Sequence, residues 1–465
     1  PYSGAIEAQL LNKKDSFLGD FLSVQPFEVD AITGNPPYVR LRHLPPDQMN
    51  RALQCASSVL HRSMDPSGSI WMPFILHGLR FLRKGGRLAL VLPHELTYVR
   101  YARPLWKKLG ECFSDIRLVR VHERLFPDIL QEVVILFAEG YGGETKYVNF
   151  QAIEKASQFS KSEDLPCTAL PIERIVNGDR VFLEALLPTR TRELITNLLE
   201  NRTEPLPKSC VFNIGYVAGD KEFFHPDSGV VTHHKLSKAC LLPALTSGKQ
   251  LRACGLHTSD LRYAADNLYL PPNNNSLSAA DKRYITYGKI LGIHKRYKCA
   301  VRKPWYLVPG VRVPDMLLSV FAERPILVIN DAKYVASNSL LCGFLKNVSA
   351  EKFSAGWYTS LTLLQIELQI HALGGGVMIL VPGEVAKIRL PICRPSKSHM
   401  QSISKTLMLG NVDSAYRCGD EEILKSQLGL SNDDIASLHE GIRILKHWRN
   451  SANGGVTSQQ ERAVQ

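Results

Sequence analysis

The sequence has no run of eighteen apolar residues, so no membrane-crossing helix is expected. Its ten cysteines are scattered, and no two form a Cys-x-x-Cys pair. That indicates neither a zinc site nor a disulfide framework; reduced thiols of a cytoplasmic protein are the simple reading, with no metal. The opening residues do not read as a secretory signal, and no internal repeat is visible. Acidic side chains are the scarcer charge, 44 against 56 Lys and Arg, for a net charge of +12. What is present is ordinary for a globular chain: 45% hydrophobic and 22% charged residues. A length of 465 residues exceeds one ordinary core and predicts two or three domains.

The positive charge is unevenly spread. Residues 1–163 carry 20 basic and 17 acidic side chains, the remainder 36 and 27. The densest stretch holds Lys282, Arg283, Lys289, Lys295, Arg296, Lys298, Arg302 and Lys303 with no acidic residue among them. Tyr284, Tyr287 and Tyr297 interleave, and Trp305 and Tyr306 follow. Cations neutralise phosphates and tyrosines pack against sugars, so this stretch is a candidate contact for a phosphate backbone. A solvated basic face is the plain alternative.

The chain is organised around Asn35-Pro36-Pro37-Tyr38, which ends the apolar run Val29-Asp30-Ala31-Ile32-Thr33-Gly34. A short strand ending at Gly34 and two consecutive prolines give a stiff turn, because each proline fixes φ and lacks an N–H. A stiff loop can present fixed acceptors, here the Asn35 amide oxygen and the Pro36 carbonyl, with the Tyr38 ring beside them. That set suits an aromatic amine: two acceptors drawing on its hydrogens favour the pyramidal nitrogen whose lone pair can attack. The tyrosine can stack on the amine's ring and favour a nearby cationic sulfonium. By themselves four residues also read as a proline-stiffened turn with a surface tyrosine.

Asn-Pro-Pro-Tyr after a hydrophobic strand resembles the catalytic motif of S-adenosylmethionine-dependent amino-methyltransferases. The order of elements is similar to γ-class DNA adenine-N6 methyltransferases of bacterial restriction-modification systems. The resemblance is strong over 15–140 and looser over 205–392. It implies that Asn35, Pro36, Pro37 and Tyr38 are catalytic, with Pro37 also beside the cofactor. It implies that Asp20, in Leu18-Gly19-Asp20-Phe21-Leu22, accepts a bond from the adenine of S-adenosylmethionine and that Phe21 flanks that ring. Phe126, in Arg124-Leu125-Phe126-Pro127-Asp128, would be the second aromatic holding a flipped target base against Tyr38. The activity implied is transfer of methyl to the exocyclic N6 of adenine in duplex DNA, and a restriction endonuclease is the implied partner.

The fold expected is α/β: an incomplete Rossmann-like methyltransferase sheet, then a mixed α/β target-recognition domain and C-terminal helices. The boundaries expected are 1–150 for the catalytic domain, 151–170 for a linker, 171–395 for target recognition, 396–450 for the helices and 451–465 for a disordered tail. Helices are expected over 4–13, from about 50 to His61, from Trp71 until Lys84-Gly85-Gly86 stops it, and over 97–109. Strands are expected at Arg87–Pro93, Ile116–Val121 and Glu132–Phe137. The family's glycine-rich first motif and the acid ending its second strand are not found before Asp20. The expectation is therefore a chain that begins inside the fold, binds cofactor poorly alone, and is completed upstream or by another chain. Three further readings are an amino-methyltransferase acting on RNA, one acting on protein glutamine, and an inactive or split DNA-binding fragment.

Overall fold

Six strands make one sheet in the first part of the chain: Val29–Gly34 (β1), Leu82–Pro93 (β2), Phe113–Val121 (β3), Val133–Tyr141 (β4), Tyr147–Ile153 (β5) and Thr168–Pro171 (β6). They stand in the order β1-β2-β4-β3-β5-β6. The computed structural model describes residues 19–126, 132–159, 166–273, 277–372 and 377–450. The helix expected at 4–13, the Pro127-Asp128 pair, the Gly374–Gly376 run and the tail from 451 lie outside the described residues. The chain divides into two compact units, Pro1–Ala185 and Leu186–Gln465.

In the first unit β1 and β2 run parallel, and β4 lies antiparallel between β2 and β3. Pro93, the last residue of β2, pairs with Val133, the first of β4. The residues after β1, after β2 and after β3 therefore leave the sheet at one end. Three helices cover it: Pro46–Leu60 (α1), Trp71–Gly78 (α2) and Arg103–Gly110 (α3). Proline at the first position of α1 costs nothing, since that N–H has no partner inside the helix. α2 buries Trp71, Met72, Ile75 and Leu76, and α3 buries Leu105, Trp106 and Leu109 while Lys107 and Lys108 face outward. The Trp106 indole donates to the Leu96 carbonyl at 3.0 Å, which ties α3 to the segment after β2.

The helix expected over 97–109 is α3 only from Arg103, with tighter turns at His94–Thr97 and Arg100–Ala102 before it. Two further departures involve the strands. α2 ends at Gly78, and Lys84-Gly85-Gly86 lies within β2. Val29 pairs with Leu82 but Ala31 with Arg87, so β2 bulges; Gly85, at φ 79°, supplies the left-handed residue of that bulge. The segment read as a linker adds two strands, with β5 parallel to β3 and β6 antiparallel to β5. β5 buries Val148, Phe150, Gln151 and Ile153 and exposes Tyr147 and Ala152, so polarity along it does not track burial.

The second unit carries a four-stranded sheet in the order Leu327–Ile329, Met316–Ser319, Leu340–Leu345, Cys210–Ile214. Phe212 packs on Phe353 and Trp357 of the helix Ala350–Trp357. The helices Lys397–Met408, Val412–Gly419 and Asn432–Arg449 lie within the stretch 396–450 where C-terminal helices are expected. At the end of Asn432–Arg449, the Arg449 guanidinium meets the fully buried Glu367 carboxylate (Nε 2.9 Å, Nη2 3.0 Å). Arg324 Nη1 donates to the same carboxylate at 2.7 Å and its Nε to Asp413 at 2.6 Å. Ser360, Asp420 and His439 also converge. One nitrogen, His439 Nε2, faces both Ser360 Oγ (2.8 Å) and Asp420 Oδ2 (2.7 Å), and the Ser360 N–H donates to Asp420 Oδ1. A nucleophile relay needs serine and acid on opposite imidazole nitrogens, so this cluster holds a helix start.

Candidate catalytic loop and candidate nucleic-acid face

The loop Asn35–Tyr38 follows β1 directly, at the end of the sheet where β2 and β3 also finish. Pro36 is buried, whereas Asn35 and Pro37 are exposed. The half-buried Tyr38 donates its hydroxyl to the Val91 carbonyl of β2 at 3.0 Å, and burial holds that phenol well above its ordinary pKa. The ring is thus fixed by its distal end, and it stays neutral at any working pH. Just beyond, the chain is pinned through its backbone. Leu41 N donates to Gly68 O (2.9 Å), Ile70 N to Val39 O (2.9 Å), and Ser69 Oγ also to Val39 O (2.9 Å).

One carboxylate that sequence reasoning did not single out braces this loop. Glu95, just after β2, accepts from Arg40 Nη2 (2.7 Å), Trp71 Nε1 (3.1 Å) and Tyr101 Oη (2.5 Å). Arg40 Nη1 also reaches Tyr101 Oη at 3.3 Å. Arg40 lies two residues past Tyr38, so the loop, the start of α2 and the segment before α3 share one acceptor. Arg40 and Trp71 lie far from Glu95 and Tyr101 in sequence, and no spacing in the chain announces the four together.

At the same end of the sheet, Glu132 accepts from the buried Arg120 at 3.1 Å, and its carbonyl receives the His94 N–H at 2.9 Å. Burial, reinforced by Arg120 and Arg180, pushes the His94 imidazole well below its usual pKa, so it is neutral. Phe126 is half-buried in the connection from β3 to β4. The topology therefore brings Asn35–Tyr38 and Phe126 to one end of the sheet.

Asp20 and Phe21 are seated on α1 and α2. Asp20 Oδ1 accepts the Leu22 N–H at 3.0 Å, and Oδ2 pairs with Arg51. The half-buried Phe21 ring lies 5.3 Å from Phe74, 5.1 Å from His77 and 5.5 Å from Phe81. Their segment is fixed at its back: His77 Nε2 meets the Val24 carbonyl at 3.1 Å, and Nδ1 faces Cys55 Sγ at 3.5 Å. Chemically, an exposed carboxylate beside a partly exposed aromatic ring fits an adenine, whose amino group would share Asp20 with Arg51.

In the second unit the basic stretch folds as the helix Ala279–Ile290, a short turn and the helix Tyr297–Ala300. Lys282, Arg283, Lys289, Lys295, Lys298 and Lys303 are exposed, and none has an acidic partner among the described residues. Two others are engaged within the protein. Arg296 pairs with the buried Asp220, and Arg302 donates to the Val217 and Ala218 carbonyls, at 2.8 Å for the latter, over the Phe224 ring. Asp220 lies 76 positions before Arg296, which is why the stretch reads as uniformly unpaired in sequence.

A sheet in which one antiparallel strand interrupts parallel neighbours, with Asn-Pro-Pro-Tyr at the strand ends, belongs to the S-adenosylmethionine-dependent methyltransferase class. The model of the type II methyltransferase M.Eco57I C-terminal domain matches residues 179–424, and that of the Eco57I restriction-modification methylase matches residues 5–126. The chain belongs to this family of restriction-modification DNA methyltransferases. It is 20% identical over 319 residues to the type II methyltransferase M.AccI of Acinetobacter calcoaceticus, covering 66% of this chain and 58% of that protein. It is 25% identical over 352 residues to M.PaeR7I of Pseudomonas aeruginosa, covering 68% and 54%. Among solved structures, the type IIL restriction-modification enzyme MmeI in complex with DNA is similar, at 12% identity and a TM-score of 0.46 over 93% of this chain and 56% of that one. The chain thus spans little more than half the length of the curated relatives it matches.

Proposed function

We propose that the protein carrying this chain methylates the exocyclic N6 amino group of adenine in duplex DNA, within a restriction-modification system. The observation that carries the proposal is the braced loop: a buried Pro36, an exposed Asn35 and a Tyr38 ring tied to β2 through its hydroxyl. Asn35 Oδ1 and the Pro36 carbonyl accept the two amine hydrogens, which localises the nitrogen lone pair for attack. Tyr38 stacks on one face of the extruded base and Phe126 closes on the other. Because Tyr38 Oη is committed to the Val91 carbonyl, the tyrosine contributes its face and no proton. No general base precedes attack, since the amine proton leaves afterwards; the contribution of these residues is orientation.

S-adenosylmethionine, when bound, supplies an electrophilic methyl on its sulfonium. Asp20 and Phe21 would hold its adenine, and Pro37 would stand beside its reacting end. The second unit, with its exposed cations, is assigned to target recognition through 395, followed by the C-terminal helices; this reading rests on family membership and on charge. The test is Asn35→Ala in the full-length protein with radiolabelled S-adenosylmethionine and duplex DNA. Methyl incorporation should fall on the order of a hundredfold or more while DNA affinity holds, as for loss of one positioned acceptor. Near-normal incorporation would overturn the assignment.

A further inference from the structure

The basic stretch of the second unit carries a feature that phosphate neutralisation does not explain. Where Ala279–Ile290 ends, Ile290 is 78% and Leu291 53% exposed; Tyr297, which starts the next short helix, is 74% and Val301, just past its end, 65% exposed. Single exposed apolar residues are commonplace, but here four large ones fall within twelve positions, on either side of the turn Ile293–Lys295.

Ile290 and Leu291 are presented rigidly. On the opposite flank of the helix Tyr284 is buried, stacks on Phe223 at 4.6 Å and donates its hydroxyl to the Phe223 carbonyl at 2.7 Å. Gly288 packs so closely that an added Cβ would stand 2.5 Å from the Phe223 ring and 2.7 Å from Trp305. Gly292, at φ 74° with open space around it, turns the chain back sharply, and Ile293 re-enters the core. The apolar pair therefore stands at the tip of a knuckle whose base is locked in an aromatic cluster.

What surrounds the tip selects the partner. Lys289, Lys295 and Lys298 are exposed and without acidic partners among the described residues. Lysine is depleted at the centres of protein–protein interfaces, which argues against a protein partner. Phosphates attract the lysines but offer nothing to an isoleucine or a leucine. In a duplex the apolar surface belongs to base faces, base methyl groups and sugars, and it is reached by seating a side chain in a groove or between base steps.

We propose that Ile290 and Leu291, with Tyr297 and Val301 beside them, form an apolar wedge that seats against the bases of duplex DNA while the flanking lysines hold its phosphates. This rests on the reading of DNA as the substrate. A seated wedge distorts the duplex, so its signature differs from that of a cation: affinity lost at every salt concentration, with bending lost alongside it.

The experiment uses the full chain and a mixed-sequence duplex labelled at both ends, titrated across a salt series. Ile290→Ser with Leu291→Ser should weaken binding on the order of tenfold at each salt concentration, as expected for unburying aliphatic side chains. It should leave the salt slope unchanged and abolish the change in end-to-end energy transfer. Tyr297→Ala, on the adjoining helix, should act in the same sense, which guards against a folding defect in the double variant. If wild-type chain bound DNA and both variants bound and bent it equally well, the wedge would be refuted with the DNA reading intact. Absence of wild-type binding would remove both. A change of oligomeric state in the variants, with DNA affinity unaltered, would reassign these residues to contact between chains.

Discussion

Glu367→Gln tests how the second unit is braced. The wild-type carboxylate is fully buried and accepts three bonds from two guanidinium groups, Arg324 and Arg449, which are themselves 10% and 7% exposed. Glutamine keeps the shape and one acceptor but removes the negative charge between two buried cations, and turns an amide N–H₂ toward one of them. Removing one partner of a buried ionic cluster costs about 3–5 kcal/mol, and the retained acceptor places this variant near the lower end. With a urea dependence of about 2–3 kcal/mol per molar, the midpoint should fall by roughly 1 M, read by circular dichroism on the full chain. Adding Arg449→Met should recover part of the loss, because the remaining guanidinium, Arg324, retains Asp413 at 2.6 Å. Non-additivity of about 1 kcal/mol or more is expected for such contacting groups. A midpoint lowered by less than about 0.3 M, or strictly additive losses, would refute the argument that the orphaned charge dominates.

Three further outcomes are expected. Tyr38→Phe removes only the bond to Val91 and should cost about 1 kcal/mol of stability with modest loss of methyl transfer, whereas Tyr38→Ala should abolish transfer; equal effects on transfer would remove the stacking role. Neutralising Lys295 and Lys298 should flatten the salt dependence of DNA binding by about one unit per contact, while Arg302→Ala should lower the thermal midpoint and leave that slope alone. Burial depresses the pKa of His77, His94 and His399 below their ordinary value. These imidazoles are neutral when folded and bind protons once unfolded below about pH 6.5, so stability should fall on acidification from there. His399→Gln should make that fall shallower in urea titrations at pH 7 and pH 5, and an unchanged fall would refute the contribution of His399.

The turn at Asn35–Tyr38 is legible because its cause is local: two adjacent prolines after a strand fix it whatever surrounds it. The same holds for α3, where Leu105, Trp106 and Leu109 recur at helical spacing. Glu95 was not legible, since its partners Arg40, Trp71 and Tyr101 are assembled only when the sheet and α2 form. The engagement of Arg302 and Arg296 within the protein has the same origin, because the Val217 and Ala218 carbonyls and Asp220 arrive from a distant segment. The linker expected over 151–170 takes in the end of β5 and most of β6, whose short length and mixed polarity, with Gln151 buried and Ala152 exposed, leave no clean alternation to read. Gly85 misled in the opposite direction. A glycine pair after an apolar helix commonly ends it, whereas here it lets β2 bulge against β1.

The six exposed cations between Lys282 and Lys303 that lack acidic partners have a consequence for the fold as well. Like charges so placed repel one another, and the repulsion reaches across a screening length of about 8–10 Å at moderate salt. The stability of this region should therefore rise as salt is added, while its hold on a polyanion weakens over the same range. The surface trades self-cohesion for attraction to what lies outside it, and bound DNA would restore the cohesion by supplying the missing negative charge.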